Sequence, residues 1–353
     1  MTDTFRIGLS PDFYVDAKGY FEDVVEKMFT RAPGVEYASM PPQPNKTATS
    51  EALNQFDAVV ALAIRITPES LKGVERLAVV SRWGVGFDAI NVDALTAADI
   101  MLCNTPMGVR RPVSEAILTF AFALSKQVFQ LDRMTRAGKW RGDMPGLLGD
   151  IRGSVLGSVG SGNIARELFG LARPLGFTRL LACDPFVTQE QVKDLGVELV
   201  DMDTVFRESD FVSVNTYLND STRGLVGERH FRLMKPTAYF INTARGGIVQ
   251  HDALVKALKE KWIAGAGIDV FPNEPPPAND PLFALDNVIV APHALAWTNA
   301  IMHDNGVEAC GHVLKVARGE VPDAVVNREV LDRPGFRKKL ERYRQRATAV
   351  WRG

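Results

Sequence analysis

Short, strongly apolar runs alternate with helix-period segments along nearly the whole chain. That alternation narrows the fold more than any other feature. "FRIGL", "DAVVALAI", "LAVVSRW" and "IMLCN" read as strands, and segments such as Tyr20 to Phe29 and Asn91 to Ala98 read as helices or turns between them. A long helix is expected from Ser114 to Arg136. A second series then begins with "SVLGSVG", "RLLACD", "FVSVN", "AYFINT", "AGAGIDV" and "NVIVAPH". Two successive βαβ series predict an α/β protein made of two doubly wound parallel-sheet domains. Length agrees, because 353 residues exceed what one compact core holds. The proline-rich "FPNEPPPANDPL" is a loop, since proline cannot donate to a strand ladder.

Composition excludes several function classes. A net charge of −1 gives no global field for nucleic acid or an anionic membrane. Cys103, Cys183 and Cys310 are scattered without ligand spacing, which speaks for a reduced, cytoplasmic setting and against a zinc site. "MTDTFRIGLS" has no basic and then apolar leader pattern, so no signal peptide is expected. "AILTFAFAL" meets Ser125 and Lys126 too soon to span a bilayer. The basic end, "RPGFRKKLERYRQRATAVWRG", places Phe336, Leu340 and Tyr343 at helical spacing. It reads as a surface helix packing by one apolar stripe, with an oligomer contact or anion site as the other reading.

"SVLGSVGSGNIARELFG" contains Gly160-Ser161-Gly162-Asn163-Ile164-Ala165, a G-x-G-x-x-A pattern between an expected strand and an expected helix. Gly160 allows the tight turn, Gly162 a close backbone approach to a pyrophosphate, and Ala165 close helix–strand contact. The helix N-terminus then faces the phosphates. Downstream, "TRLLACDP" ends a strand at Asp184. A carboxylate there can accept the adenine ribose hydroxyls and repel a 2′-phosphate, and Pro185, Phe186 and Val187 supply no cation. NAD is therefore favoured over NADP.

Ligands of an open α/β sheet sit at the carboxyl ends of its strands. Three successive ends carry chemistry. Arg245 follows "AYFINT", and an arginine can grip a carboxylate with two parallel N–H bonds and polarise a neighbouring carbonyl. Gly246 and Gly247 behind it leave room for a substrate or another domain. Asp269 and Glu274 follow the next strand, and His293 the last. A histidine moves protons near neutral pH, and a carboxylate on its other nitrogen orients it. Taken singly, each also reads as a structural or solvated residue.

"INTARGGIV", "GAGIDVFPNEP" and "VIVAPH" resemble, in order and type, the signature segments of the D-isomer-specific 2-hydroxyacid dehydrogenases. "SRWGVGFDAINVDAL" and "NTP" resemble that family's substrate-domain loops, over roughly residues 50 to 326. The resemblance implies a Rossmann NAD domain, 105–296, inserted into a flavodoxin-like substrate domain, 1–104 and 297–326, with a basic extension at 327–353. It implies an active-site cleft between the domains and a homodimer through the NAD domain. It assigns His293 as general acid/base, Glu274 as its orienting partner, and Arg245 as the binder of substrate carboxylate and carbonyl. The backbone of Val85 and Gly86 would hold the carboxylate. Asp269 would face the nicotinamide carboxamide, with Thr216, Thr243 and Ala244 also lining the cofactor. The implied reaction is reduction of a 2-oxo acid by NADH to a D-2-hydroxy acid.

Several positions depart from the family pattern. Asn163 stands where an arginine is usual, with Arg166 one turn away. Tyr217 replaces a usual proline, Gln250 a usual acid, and "ALAWT" with Trp297 follows His293. Arg110 and Arg111, in "NTPMGVRRPVSEA", suggest a second anionic group on the substrate, or else a solvated or dimer-facing pair. Two other readings share the fold: an NADH-sensing corepressor, and a formate or phosphite dehydrogenase. Glu274 argues against formate, where that family places Gln. The sequence does not name the 2-oxo acid.

Overall fold

The computed structural model describes residues 4–17 and 19–350. The last three residues of the basic tail and the first three of the chain lie outside them. The chain forms two compact units, 1–109 with 298–353, and Arg110–Trp297.

The first unit is built on β1 (Phe5–Leu9), β2 (Val35–Ser39), β3 (Ala58–Ala61), β4 (Val79–Arg82) and β5 (Met101–Cys103). They pair in parallel in the order β2-β1-β3-β4-β5, the flavodoxin-like order. β3 and most of β4 are fully buried, which is why they read as unbroken apolar runs. The edge strand β2, "VEYAS", is mostly exposed and leaves no such mark in the sequence. Residues 105–109 belong to this unit rather than to the next. Thr105 hydrogen-bonds Gly84, and the Met107 and Gly108 N–H groups donate to Glu308.

The basic C-terminal segment is part of this unit's core. Phe336, Leu340 and Tyr343 of the helix Pro334–Val350 join the cluster of Phe5, Ile7 and Val313. Burying side chains of this size stabilises by about 1.5–3 kcal/mol each. The buried Asp57 gathers the polar half of the joint. It accepts from Arg76, Arg342, the Tyr343 hydroxyl and the Arg6 N–H.

The second unit contains β6 (Val155–Val159), β7 (Arg179–Cys183), β8 (Val197–Leu199), β9 (Phe211–Val214), β10 (Tyr239–Asn242), β11 (Gly265–Ile268) and β12 (Val288–Val290). Its parallel sheet has the order β12-β11-β10-β9-β6-β7-β8. This is the doubly wound dinucleotide-binding order with one further strand, and its switch point falls between β6 and β9. The register places Val159, Val214, Asn242 and Ile268 in one row, so the residues that follow them emerge along one sheet edge.

The expected long helix from Ser114 to Arg136 is two helices, Arg110–Ser125 and Val128–Arg136. Gln127 between them adopts a left-handed φ of 47°. The first helix buries Ile117, Phe120, Ala121 and Leu124, and Gly267 of β11 lets Phe120 lie directly on the sheet. The second buries none of its residues, so the chain turns away from the sheet where the apolar face ends.

Candidate active site

The glycine loop stands at the switch point. Gly160 has φ +101°, and a side chain there would strike the Asn215 carbonyl oxygen at 2.6 Å. Only glycine fits both demands. A Cβ on Gly162 would meet nothing within 4 Å, so open space lies before the loop. The helix Asn163–Ala172 starts at this point, and its first N–H groups have no partner within the helix. The hydroxyls of Ser161 and Thr243 are buried and have no hydrogen-bond partner among the described residues. Open space, a helix N-terminus and orphaned hydroxyls beyond the ends of β6 and β10 fit a bound dinucleotide.

Asp184 follows β7 directly. One carboxylate oxygen accepts from the Ser161 N–H at 2.8 Å and the other from the Phe186 N–H at 2.9 Å. The carboxylate is thereby fixed beside the glycine loop. Arg166 does not stand in for the arginine usual at the position of Asn163. Its guanidinium donates to the Ser161 and Gln191 carbonyls, so it braces the loop from behind. Thr216 lies just beyond β9, half-buried, next to the exposed Tyr217. Gln250 serves structure: its amide donates to the Gly224 carbonyl and packs against Gly227.

Arg245, Glu274 and His293 come from the carboxyl ends of three neighbouring strands. Glu274 Oε2 lies 2.7 Å from His293 Nδ1, and Glu274 Oε1 accepts from the Phe271 N–H at 3.0 Å. Burial pushes the Glu274 carboxyl up, but the His293 hydrogen bond and charge, the Phe271 N–H and the Arg245 charge outweigh it and hold it below the usual range. Glu274 is therefore an anion at neutral pH. Its bond to Nδ1 leaves Nε2 as the outward end of the ring. The Arg245 Nη1 donates to the Ala244 carbonyl at 2.7 Å, and the Asn242 amide holds the Arg245 carbonyl.

His293 has φ 55°, uncommon for a residue with a side chain. Asp269 enforces it. The Asp269 carbonyl accepts the His293 N–H at 2.8 Å, and its side chain accepts from Ala294 and Leu295. Burial pushes the Asp269 carboxyl up, opposed by those N–H groups and by the His293 charge. The structure thus gives Asp269 the task of shaping the turn that carries His293. The family resemblance assigned it only to the cofactor.

The expected room behind Arg245 has a different occupant. A Cβ on Gly246 would lie 2.0 Å from the Phe271 carbonyl carbon and 2.3 Å from Pro272 N. Gly246 admits the backbone of the Glu274 loop rather than a substrate, which joins the Arg245 turn to the Glu274 loop. No sequence signal marks which neighbour a glycine makes room for. Arg110 and Arg111 are engaged within their own unit. Arg110 pairs with Glu167 at 2.9 Å, and Arg111 with Glu115 at 2.6 Å and Glu167 at 3.7 Å. Val85 and Gly86 follow β4 in the first unit, with Val85 exposed. Among the described residues no His/Cys/Asp/Glu cluster could hold a metal, and no helix is long and apolar enough to cross a membrane.

Comparison with known proteins bears on the family and the fold. The family model for the D-isomer specific 2-hydroxyacid dehydrogenase, NAD binding domain, matches residues 118–294. A glyoxylate reductase from Korarchaeum cryptofilum is 39% identical over 303 residues, covering 83% of this chain and 90% of that protein. A glyoxylate reductase from Thermococcus litoralis is 33% identical over 312 residues, covering 86% and 94%. The crystal structure of a D-lactate dehydrogenase from Aquifex aeolicus, complexed with NAD and lactic acid, shares the fold. Its TM-score is 0.78 at 22% identity, over 91% of this chain and 99% of that one. With its strand-end Arg, Glu and His and its glycine loop at the switch point, this chain belongs to the D-isomer-specific 2-hydroxyacid dehydrogenase family.

Proposed function

We propose that the protein reduces a small 2-oxo acid to the D-2-hydroxy acid with NADH, through Arg245, Glu274 and His293. Interconversion of 2-oxo and 2-hydroxy acids with a nicotinamide dinucleotide is the chemistry of its family. The observation that carries the residue assignment is the Glu274–His293 contact at 2.7 Å, beside a strand end that presents Arg245. When bound, the nicotinamide supplies the hydride. Protonated His293 delivers the proton from Nε2 to the oxygen that gains charge, while Glu274 on Nδ1 fixes the ring and supports its positive form. Arg245 holds the substrate carboxylate with paired N–H bonds and stabilises the same oxygen. The N–H groups of Val85 and Gly86 bind the carboxylate. In the oxidative direction His293 takes the hydroxyl proton.

Gly160, Ser161, Gly162, Asn163 and Ile164 would cradle the pyrophosphate. Asp184 would accept the ribose hydroxyls, which supports NAD over NADP. Thr216, Thr243, Ala244 and Asp269 would line the nicotinamide half. Any second anionic group at Arg110 would share that guanidinium with Glu167. Free Cys103, Cys183 and Cys310 suit a reducing cytoplasm.

We also propose a homodimer through the second unit. A groove of about 730 Å³, lined by Leu118, Phe122, Val128, Phe129 and Ile289 among others, opens on the helices Arg110–Ser125 and Val128–Arg136. Phe122, Val128 and Phe129 are 39%, 48% and 49% exposed, an apolar patch that suits an isologous contact with a second copy.

The test is NADH oxidation across small, branched, dicarboxylic and phosphorylated 2-oxo acids, starting with glyoxylate, with NADPH in parallel. NADH-linked turnover on one group supports the reading. Preference for NADPH would overturn the role of Asp184. Tight NADH binding without turnover on any acid would favour an NADH sensor.

A further inference from the structure

Asn104 and Thr105 lie at the end of β5 and belong to none of the groups assigned above. Three bonds tie them to the Gly84–Gly86 loop at the end of β4. The Thr105 hydroxyl accepts the Gly84 N–H at 2.7 Å, the Thr105 N–H donates to the Gly84 carbonyl at 3.1 Å, and the Asn104 Nδ2 donates to the Val85 carbonyl at 2.9 Å. Thr105 is fully buried, and its hydroxyl is bonded to Asn305 Oδ1 at 2.9 Å, itself buried in the helix Asn299–Ala317. The polar pair is fixed from behind.

A trans peptide places its carbonyl and the following N–H on opposite sides. Holding the Gly84 carbonyl turns the Val85 N–H away from Asn104–Thr105. Holding the Val85 carbonyl turns the Gly86 N–H away as well. Two successive N–H groups therefore leave the loop on the side opposite their anchor, the arrangement that makes an anion-binding concavity. Gly84 has φ +128°, which a side chain would oppose.

We propose that Asn104 and Thr105 are positioning residues for substrate-carboxylate binding, acting by clamping the Gly84 and Val85 carbonyls so that the Val85 and Gly86 N–H groups point together at the carboxylate. This rests on the carboxylate role proposed above for Val85 and Gly86. The clamp is a ground-state binding device. Its loss raises KM for the 2-oxo acid and leaves kcat and the KM for NADH largely in place.

The experiment is steady-state kinetics of Asn104→Ala, Asn104→Asp, Thr105→Val and Thr105→Ser on the best 2-oxo acid, with amide hydrogen exchange over residues 83–87. Asn104→Ala should raise KM for the acid about tenfold, the worth of one ordinary hydrogen bond. Its kcat and NADH KM should stay within about twofold. Asn104→Asp should raise KM further, because an acceptor then faces the Val85 carbonyl and a negative charge sits near the bound carboxylate. Thr105→Val should raise KM and speed exchange at Gly84, and Thr105→Ser should restore both. Unchanged KM in both Asn104 variants would overturn the proposal. So would equal losses in kcat and NADH affinity, which mark a purely structural role. If wild type turns over no 2-oxo acid, the functional reading fails first, and the proposal with it. If wild type is active and both Asn104 variants match it in KM, the clamp alone fails.

Discussion

Each side chain proposed for catalysis is held by a backbone group that the sequence does not advertise. Glu274 is kept ionised by His293, Arg245 and the Phe271 N–H against the effect of its own burial. His293 is held in a left-handed turn by the backbone and side chain of Asp269. These contacts predict the outcome of Glu274→Gln. The ring keeps a hydrogen-bond partner of the same shape, but the anion facing it is gone. Reductive kcat/KM should fall about 10²-fold, the usual scale for an impaired acid–base group. Steady-state rates equal to wild type would remove Glu274 from the mechanism.

At the scale of elements, sheet order does the assembling. Parallel strands in register bring Arg245, Asp269 and His293 to one edge, although Tyr239, Gly265 and Val288 start strands well separated in the chain. The contact between turns is as important as the strands. Gly246 lies against the Phe271–Pro272 backbone, so the loops bearing Arg245 and Glu274 are packed directly on each other. Gly246→Ala puts a methyl group 2.0 Å from the Phe271 carbonyl carbon, and rigid backbone cannot yield as a side-chain tip can. The loop should shift by about an ångström, enough to cost about 10²-fold in kcat/KM. NADH affinity should change little, because the glycine loop is elsewhere on the edge. Fluorescence titration with NADH beside turnover separates the two. Full activity in the variant would show that the loops are independent.

At the scale of the whole molecule, each unit closes its own core, and the C-terminal helix Pro334–Val350 completes the first. The second unit leaves Phe122, Val128 and Phe129 uncovered. If a second copy covers them, wild type should sediment at twice the chain mass, and Phe129→Glu, which buries a charge in the contact, should sediment at the chain mass. A monomeric wild type at micromolar concentration would sink the dimer reading.

The sequence by itself determined the fold class and the glycine loop, and it marked Arg245, Glu274 and His293 as polar residues at three strand ends. Apolar runs, glycine spacing and residue type at a strand end are local facts, and local facts survive in a linear text. The structure alone revealed the edge strand β2, the break at Gln127, the neighbour that Gly246 admits, the brace from Arg166 and the bonds from Asn104 and Thr105 to the loop after β4. Each of these depends on a partner distant in sequence, or on a backbone angle that no residue type specifies. Arg110 shows the same limit. In the sequence it is a cation near an expected site, and only its three-dimensional neighbour Glu167 decides what that charge meets.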